Sequence, residues 1–477
     1  MLFKHQEEGI QFLGVAKKAI LADSMGLGKT RQAIIAAGNT GHNVLVVCPA
    51  SLKENWAREI RTAEQPGSIL IVDGSKTYEY YEDDSERSVE WLIVNYDVLD
   101  RYTPEDLERF NVAILDEAHY IKNARTNRTK AALKIVAKME YVYLLTGTPV
   151  LNRPEELYTL LKAIGHQLGK SWFKYIMRYC NATKREFWRW VTLPNGARER
   201  KLVSFWDTNG ASNLDELAVK ISDSYLRRTK DELGDKLPAK IVDTIKIDLS
   251  PEYRDKYQSA WQVYMDYLEN DPEGVNMEKI VNAQMTRHLI ELGKLKQVAS
   301  LSKLDRITED IVDIVEQGEK VLVFSQYTKT IEQLKDRLAP KKIKVVTLTG
   351  SDDMTARQKA VDAIQDGDAT VFIGNIQAAG VGLTLTAANT VLFADMAWTP
   401  ALNEQAEDRA HRIGQHKQVN VHYYLAKQTV DEDIAELLGV KREIIAKILS
   451  GQSGSSKDIT ADLIRRIVEK NRTQVIH

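Results

Sequence analysis

The amino-acid sequence predicts an α/β protein made of two parallel-sheet lobes in tandem, with helical insertions between them. Three observations carry this. Short apolar runs alternate with helical patterns in two separate stretches of the chain. A glycine-containing loop, Asp23 to Thr30, sits where the apolar run Ala19 to Ala22 gives way to a helix. A further apolar run, Val112 to Leu115, ends in two carboxylates, Asp116 and Glu117.

The first stretch contains strand-like runs at Val44 to Cys48, Ile69 to Val72, Trp91 to Val94, Val112 to Leu115 and Tyr141 to Leu145. After about Leu151 the rhythm stops, and a helix-rich region with aromatic and basic residues extends to about Ser302. The rhythm resumes at Val321 to Phe324, Lys344 to Leu348, Val371 to Ile373, Val391 to Phe393 and Val419 to Leu425. A helical run from Thr429 to about Leu449 is followed by a Gly/Ser-rich linker, Ser450 to Ser456. A last helix is expected from Ile459, Leu463, Ile464 and Ile467, whose spacing reads as a stripe packed against a lobe. The expected division is residues 1–150, 151–302, 303–449 and 450–477.

The loop Asp23-Ser24-Met25-Gly26-Leu27-Gly28-Lys29-Thr30 has the chemistry of a phosphate cradle. Gly26 and Gly28 let backbone N–H groups approach phosphate oxygens, Lys29 can reach the β- and γ-phosphates, and the Thr30 hydroxyl can ligand Mg²⁺ at a helix N-terminus. The usual pattern has glycine where Asp23 stands. A parallel strand presents side chains at its carboxyl end, so Asp116 is suited to face Mg²⁺ and Glu117 to orient or deprotonate an attacking water. Near the end of the second lobe, Arg409 and Arg412 lie three apart and share a helical face. They can stabilise charge on a γ-phosphate, an effect of roughly 10³ to 10⁵ in rate for arginine fingers, or pair on the surface with Glu404, Glu407 and Asp408.

With 477 residues the chain exceeds one ordinary core, and about three domains is the expectation from length. Hydrophobic residues at 43% and charged residues at 28% exclude a disordered chain. No apolar run approaches the roughly 20 residues that span a bilayer. The N-terminus does not read as a secretory signal, and two cysteines, Cys48 and Cys180, are too few for a disulfide framework. An intracellular location is expected. The net charge of −2 argues against non-specific coating of nucleic acid, so any nucleic-acid site must be local.

Phe187 to Leu193 and Leu202 to Trp206 flank Pro194-Asn195-Gly196, which predicts a β-hairpin over 187–206. Lys184, Arg185, Arg189, Arg198, Arg200 and Lys201 interleave with aromatics along its arms, a pattern suited to phosphate contact and base stacking. The alternative is an outlying hairpin whose tryptophans pack on helices beneath it.

These motifs, in their order, resemble those of the superfamily-two helicase-type ATPases of the Swi/Snf branch over nearly the whole chain. Phe3-Lys4-His5-Gln6 resembles the adenine-reading start, followed by the Lys29 loop, by Cys48-Pro49-Ala50-Ser51-Leu52 to Trp56, by Asn95-Tyr96-Asp97 and by Asp116-Glu117-Ala118-His119. Leu145-Thr146-Gly147-Thr148-Pro149 with Asn152 is similar to the segment linking hydrolysis to movement. Leu226-Arg227-Arg228-Thr229-Lys230 with Leu237-Pro238-Ala239-Lys240 resembles the interlobe signature that separates this branch from generic RNA helicases. In the second lobe, Val323 to Gln326, Thr349-Gly350, Ala379 to Thr386, Asp395 to Pro400 and Gln405 to Gln415 follow in the family's order. Cys180, Trp206-Asp207 and Gly210 to Leu217 look like the fork-remodelling, strand-annealing branch.

The resemblance implies two RecA-like lobes of the P-loop NTPase type, with ATP and Mg²⁺ as cofactors. It implies an adenine contact for Gln6, a coupling role for Thr146, Thr148 and Gln405, and the finger role for Arg409 and Arg412. It further implies nucleic-acid contacts from Ser51, Lys53 and Asn95 in the first lobe and from Thr349 and Thr384 in the second. Ser24 stands where an acidic residue is more usual, and Asn403 where Asp is. The implied activity is translocation on double-stranded or forked DNA. A strand-separating helicase on DNA or RNA is the competing enzyme, and a non-catalytic scaffold the competing class.

Overall fold

The computed structural model describes residues 2–73, 76–81, 89–147, 154–192, 198–208, 210–230, 237–269, 285–379 and 383–449. Their strands are β1 (Lys18–Leu21), β2 (Asn43–Cys48), β3 (Ser68–Asp73), β4 (Lys76–Tyr81), β5 (Glu90–Asn95), β6 (Phe110–Leu115), β7 (Tyr141–Leu145), β8 (Thr183–Thr192), β9 (Arg198–Asp207), β10 (Tyr225–Leu226), β11 (Lys240–Ile247), β12 (Val321–Ser325), β13 (Val345–Leu348), β14 (Val371–Asn375), β15 (Thr390–Phe393) and β16 (Val419–Ala426). Contacts gather them into two units, one holding Gly28–Thr229 with the first 24 residues, the other holding Lys230–Arg442.

The first unit is organised by an eight-stranded sheet in the order β10-β1-β7-β6-β2-β5-β3-β4. All pairs are parallel except β3 with β4. Runs such as Val44-Leu45-Val46-Val47 and Val112-Ala113-Ile114-Leu115 are buried throughout, which is what a strand covered on both faces requires. Leu45, Ala113, Val142 and Leu144 join Tyr158, Leu161 and Tyr175 in one apolar cluster. The strands expected from Val44 onward are present. The antiparallel β4 and the short β10 are not among the expected strands.

The hairpin is present and longer than expected: β8 and β9 pair antiparallel from Thr183↔Asp207 to Thr192↔Arg198. Its base rests on helix Trp172–Tyr179, where Phe173 meets Trp206 edge to face with ring centroids 5.3 Å apart. The Asn-Gly turn lies outside the described residues. The segment after β9 folds back on the same helix. The Ser212 N–H donates to the Tyr179 carbonyl at 2.9 Å, the Asn213 amide to the Arg178 carbonyl at 2.7 Å, and a Cβ on Gly210 would lie 2.7 Å from the Cys180 carbonyl oxygen. Glu216, on helix Leu214–Ile221, accepts from Arg178, from Lys220 at 2.6 Å and from the Tyr179 hydroxyl at 2.9 Å. Those partners hold its carboxyl down at about 2.

The second unit has a six-stranded, all-parallel sheet in the order β11-β16-β15-β12-β14-β13. Phe324, Phe372, Phe393 and Tyr423 pack on one face, and Val323, Ile373, Leu392 and Tyr424 join helices Leu304–Glu316 and Thr328–Leu338 on the other. The region expected to be helix-rich thus also supplies an edge strand to each sheet, β10 to the first and β11 to the second. Helix Val430–Leu449 is present, while the Gly/Ser linker and the last helix lie outside the described residues. Among the described residues no helix is long and apolar enough to cross a membrane.

Lys303, fully buried, bolts the second unit together by donating to the Tyr424 carbonyl at 2.9 Å and to Asp431 at 2.5 Å. Removing one partner of such a buried pair leaves an uncompensated charge, at a cost of about 3–5 kcal/mol. Lys303→Met is therefore expected to destabilise the second unit by about that amount in urea denaturation, and Lys303→Met with Asp431→Leu to recover most of the loss.

Candidate active site

Parallel strands send their following segments to one sheet edge, so strand order decides which loops become neighbours. In the first sheet β1, β7 and β6 are consecutive, with β2 and β5 next. Their carboxyl ends align the loop 23–30, Thr146, Asp116-Glu117, the turn Ala50–Leu52 and Asn95 along one edge. Two hydrogen bonds extend this alignment past the strand ends, Thr146 N–H to the Leu21 carbonyl at 3.2 Å and Asp116 N–H to the Val47 carbonyl at 2.8 Å.

Glycine shapes the loop. Gly26 at φ 82° and Gly28 at φ 76° are left-handed, a conformation that costs other residues roughly 1–2 kcal/mol. A Cβ on Gly28 would also sit 2.3 Å from Nε2 of Gln6. Gln6 itself is buried at the start of helix Lys4–Ala16, where its Oε1 accepts from the Phe3 N–H at 3.1 Å. Gln6 therefore lies against the loop. Helix Lys29–Gly38 has no acidic residue in its first turn, so its N-terminus keeps its attraction for an anion. Lys29 Nζ donates to the carbonyls of Asp23 at 2.7 Å and Ser24 at 3.3 Å, and Thr30 follows in the same turn.

Asp116 is held by groups that sequence reasoning did not bring to it. Its Oδ2 accepts from Trp56 Nε1 at 2.8 Å, its Oδ1 from the Glu117 N–H at 2.9 Å, and its carbonyl from the Tyr96 hydroxyl at 2.7 Å. Nothing in the sequence ties Trp56 to Asp116, since the helix Lys53–Thr62 that carries it follows a different strand. Burial, and then the Glu117 charge, push the Asp116 carboxyl upward. Glu117 sits at φ 49°, a strained position for a residue with a side chain, and its Oε2 is 3.2 Å from His119 Nδ1.

A magnesium–nucleotide fits this donor set. Mg²⁺ in such sites takes one or two carboxylates and completes its shell with substrate phosphates and water. Asp116 offers one carboxylate and Thr30 one hydroxyl, and among the described residues no group of three or more His, Cys, Asp or Glu could hold an ion alone. The raised proton affinity of Asp116 is that of a buried anion beside another anion, which a divalent cation relieves.

In the second unit, Arg409 and Arg412 converge on one loop. Arg409 Nη1 donates to the Leu383 carbonyl at 3.1 Å and its Nε to the Gln405 carbonyl at 3.1 Å. Arg412 Nη1 donates to the same Leu383 carbonyl at 3.3 Å and to the Thr384 hydroxyl at 2.8 Å. The neighbouring carboxylates have lysine partners: Asp408 pairs with Lys230 at 2.6 Å, and Glu407 with Lys240 at 2.6 Å while accepting from the Tyr423 hydroxyl at 2.5 Å. Asn403 uses both ends of its amide on one turn, accepting from the Ala397 N–H at 2.8 Å and donating to the carbonyls of Ala397 at 3.2 Å and Thr399 at 3.3 Å. An aspartate could not make those two donations.

The expected nucleic-acid contacts are placed unevenly. Ser51 and Asn95 are partly exposed at the sheet edge. Lys53 is buried, with its ammonium donated to the Val72 carbonyl at 2.8 Å, so the surface contact expected of it is corrected to a structural one. The Thr349 hydroxyl bonds to Asp352 at 3.0 Å in the turn before helix Met354–Gln365. In the hairpin, Arg189 faces Lys201 in register and Arg198 faces Thr192. Trp188 and Leu202, paired across the strands, are 57% and 51% exposed, so this tryptophan is not packed on a helix beneath. Thr146 is fully buried, and Thr148 lies outside the described residues.

Trp56→Phe keeps the ring and removes one charge-assisted donor from the buried Asp116. A loss of about 1.5–3 kcal/mol is expected, to be read by chemical denaturation of the nucleotide-free protein.

The chain matches the SNF2-related domain over residues 5–321 and the helicase conserved C-terminal domain over residues 302–414. It is 33% identical over 459 residues to the mouse DNA annealing helicase and endonuclease ZRANB3, covering 94% of this chain and 41% of that one. It is 30% identical over 466 residues to the Xenopus laevis SWI/SNF-related matrix-associated actin-dependent regulator of chromatin subfamily A-like protein 1, covering 96% of this chain and 44% of that one. Among solved structures, the Sulfolobus solfataricus SWI2/SNF2 ATPase core in complex with dsDNA is similar at 25% identity and a TM-score of 0.42, covering 96% of this chain and 94% of that one. The chain spans about two fifths of the length of the curated relatives it matches. The ordered motifs on the first sheet edge and the matched domains together establish that this chain belongs to the SNF2-related family of helicase-type ATPases.

Proposed function

We propose that this protein is an ATP-driven motor that translocates on double-stranded DNA, with remodelling of forked DNA as its output inside the cell. The observation that carries the reading is the sheet edge on which Lys29, Thr146, Asp116 and Glu117 stand side by side in an SNF2-related chain. The name of the mouse relative, a DNA annealing helicase and endonuclease, supports DNA over RNA as the track.

Bound Mg–ATP supplies the phosphoryl group and the charge to which the site responds. Lys29 exchanges its two carbonyl partners for phosphate oxygens, and the glycine loop and the helix N-terminus add backbone N–H groups. Gln6 contacts the adenine. Asp116 and Thr30 would hold Mg²⁺, with Asp116 kept in place by Trp56. Glu117 orients or deprotonates the attacking water. Arg409 and Arg412 act as the charge-stabilising fingers. Thr146, Thr148 and Gln405 couple hydrolysis to movement, while Ser51, Asn95, Thr349 and Thr384 contact the DNA backbone. Because Arg412 donates to Thr384, a change at the backbone contact reaches the finger directly.

The hairpin adds Arg189, Arg198 and Lys201 as phosphate contacts. The exposure of Trp188 favours a second output, strand separation with the hairpin as wedge. Each unstacked DNA step costs about 1.4 kcal/mol on average, so a wedge must block reclosure at every step.

The test is steady-state ATP hydrolysis with no nucleic acid, single-stranded DNA, duplex DNA, forked DNA or duplex RNA. Stimulation by duplex or forked DNA, abolished in Lys29→Ala and Glu117→Gln, is the expected result. Best stimulation by single strands or RNA supports the helicase reading, and flat rates on every substrate contradict a motor. Trp188→Ala is expected to leave duplex-stimulated hydrolysis within about twofold and to reduce fork remodelling, measured by a labelled-strand gel assay.

A further inference from the structure

We infer that Arg228 is a positioning residue for the phosphate loop, holding Asp23 and, through it, the resting place of Lys29. This inference deepens the proposed function and rests on it. Asp23 occupies the position where phosphate loops usually carry glycine, and its side chain is fully buried. Its Oδ1 accepts from both the backbone N–H and Nε of Arg228, each at 3.0 Å, and its Oδ2 accepts from Arg228 Nη2 at 2.6 Å and from Gln32 Nε2 at 3.3 Å. The guanidinium also donates to Gln32 Oε1 at 2.9 Å and to the His5 carbonyl. One buried cation thus ties together the loop, the helix that follows it and the segment carrying Gln6.

The backbone repeats the connection. β10 pairs with β1 in parallel, the Ala22 N–H donates to the Leu226 carbonyl at 2.7 Å, and the Ser24 N–H donates to the Arg228 carbonyl at 2.9 Å. Lys29 Nζ rests on the carbonyls of Asp23 and Ser24, the two residues that Arg228 holds. Gly9 completes the arrangement, because a Cβ there would lie 1.8 Å from Gln32 Oε1 and 2.8 Å from Arg228 Nη2. A bidentate Arg–carboxylate pair fixes direction as well as distance, which a lysine cannot reproduce. Displacement of catalytic groups by about 1 Å is enough to cost large factors in activity.

The test compares Arg228→Lys, Asp23→Asn, their double variant and Gly9→Ala with the unaltered protein. The readouts are KM for ATP and kcat with duplex DNA, the dissociation constant of a fluorescent ATP analogue, and the unfolding midpoint. Arg228→Lys and Asp23→Asn are each expected to raise KM and the dissociation constant about tenfold or more, with kcat within about threefold. The double variant is expected to be no worse than the weaker-binding single, and Gly9→Ala to shift KM in the same direction. If midpoints fall while KM and the dissociation constant stay unchanged, or if the single effects multiply in the double variant, the positioning role is overturned. If the unaltered protein itself binds no analogue, the nucleotide-site reading fails and this inference with it.

Discussion

Parallel pairing of β1, with β7 on one side and β10 on the other, is the constraint from which the first unit's site follows. β7 brings Thr146 to the loop's edge, and β6, next in the sheet, brings Asp116 and Glu117. β10, only two residues long, brings Arg228 to Asp23. Segments that are 205 residues apart in the chain meet because two strand residues lie in register. The loop's glycines would give the backbone its turns in any setting. The neighbours of β1 decide what those turns face.

In each unit a buried ion pair ties distant segments together. Asp23 with Arg228 does this in the first unit, and Lys303 with Asp431 in the second. Lys230 and Lys240, from the interlobe signature, engage Asp408 and Glu407 beside the arginines. Lys230 also donates to the His411 carbonyl at 2.7 Å, and the His411 ring, whose proton affinity burial and Lys230 lower, meets the Pro238 carbonyl at 2.8 Å. Thus two of the three carboxylates in the alternative of surface pairing for Arg409 and Arg412, Asp408 and Glu407, are held by lysines. Lys296, brought down to about 8 by burial, lies over the Trp398 ring at 4.9 Å in the same unit.

Much of this was legible in the sequence because buried parallel strands announce themselves as unbroken apolar runs. Val112 to Leu115 and Val321 to Phe324 need no context to be read. The phosphate loop was legible through Gly26, Gly28 and Lys29, whose chemistry is local. What escaped reading depends on partners far away in the chain. Trp56 looks like an ordinary core aromatic until β2 and β6 are known to be adjacent. Lys53 looks like a surface cation until its ammonium is found on the Val72 carbonyl. Asp23 departs from the usual phosphate-loop pattern, yet its carboxylate belongs to Arg228 rather than to the loop's ligand. β10, two residues long, leaves no periodicity to detect, and β4 is an edge strand whose residues Lys76 to Glu79 are all exposed.

A motor of the kind proposed above links nucleotide and DNA binding energetically, and the Arg412–Thr384 hydrogen bond is one contact through which that link can run. Such linkage is reciprocal: if a non-hydrolysable ATP analogue changes duplex affinity by some factor, duplex must change analogue affinity by the same factor. The most direct measurement is therefore the duplex-DNA dissociation constant with and without the analogue, paired with the analogue's dissociation constant with and without duplex, at one fixed salt concentration. Equal factors of about fivefold or more in both directions are expected, reduced toward one in Thr384→Val. Two affinities that ignore each other would contradict a motor that turns hydrolysis into movement on DNA.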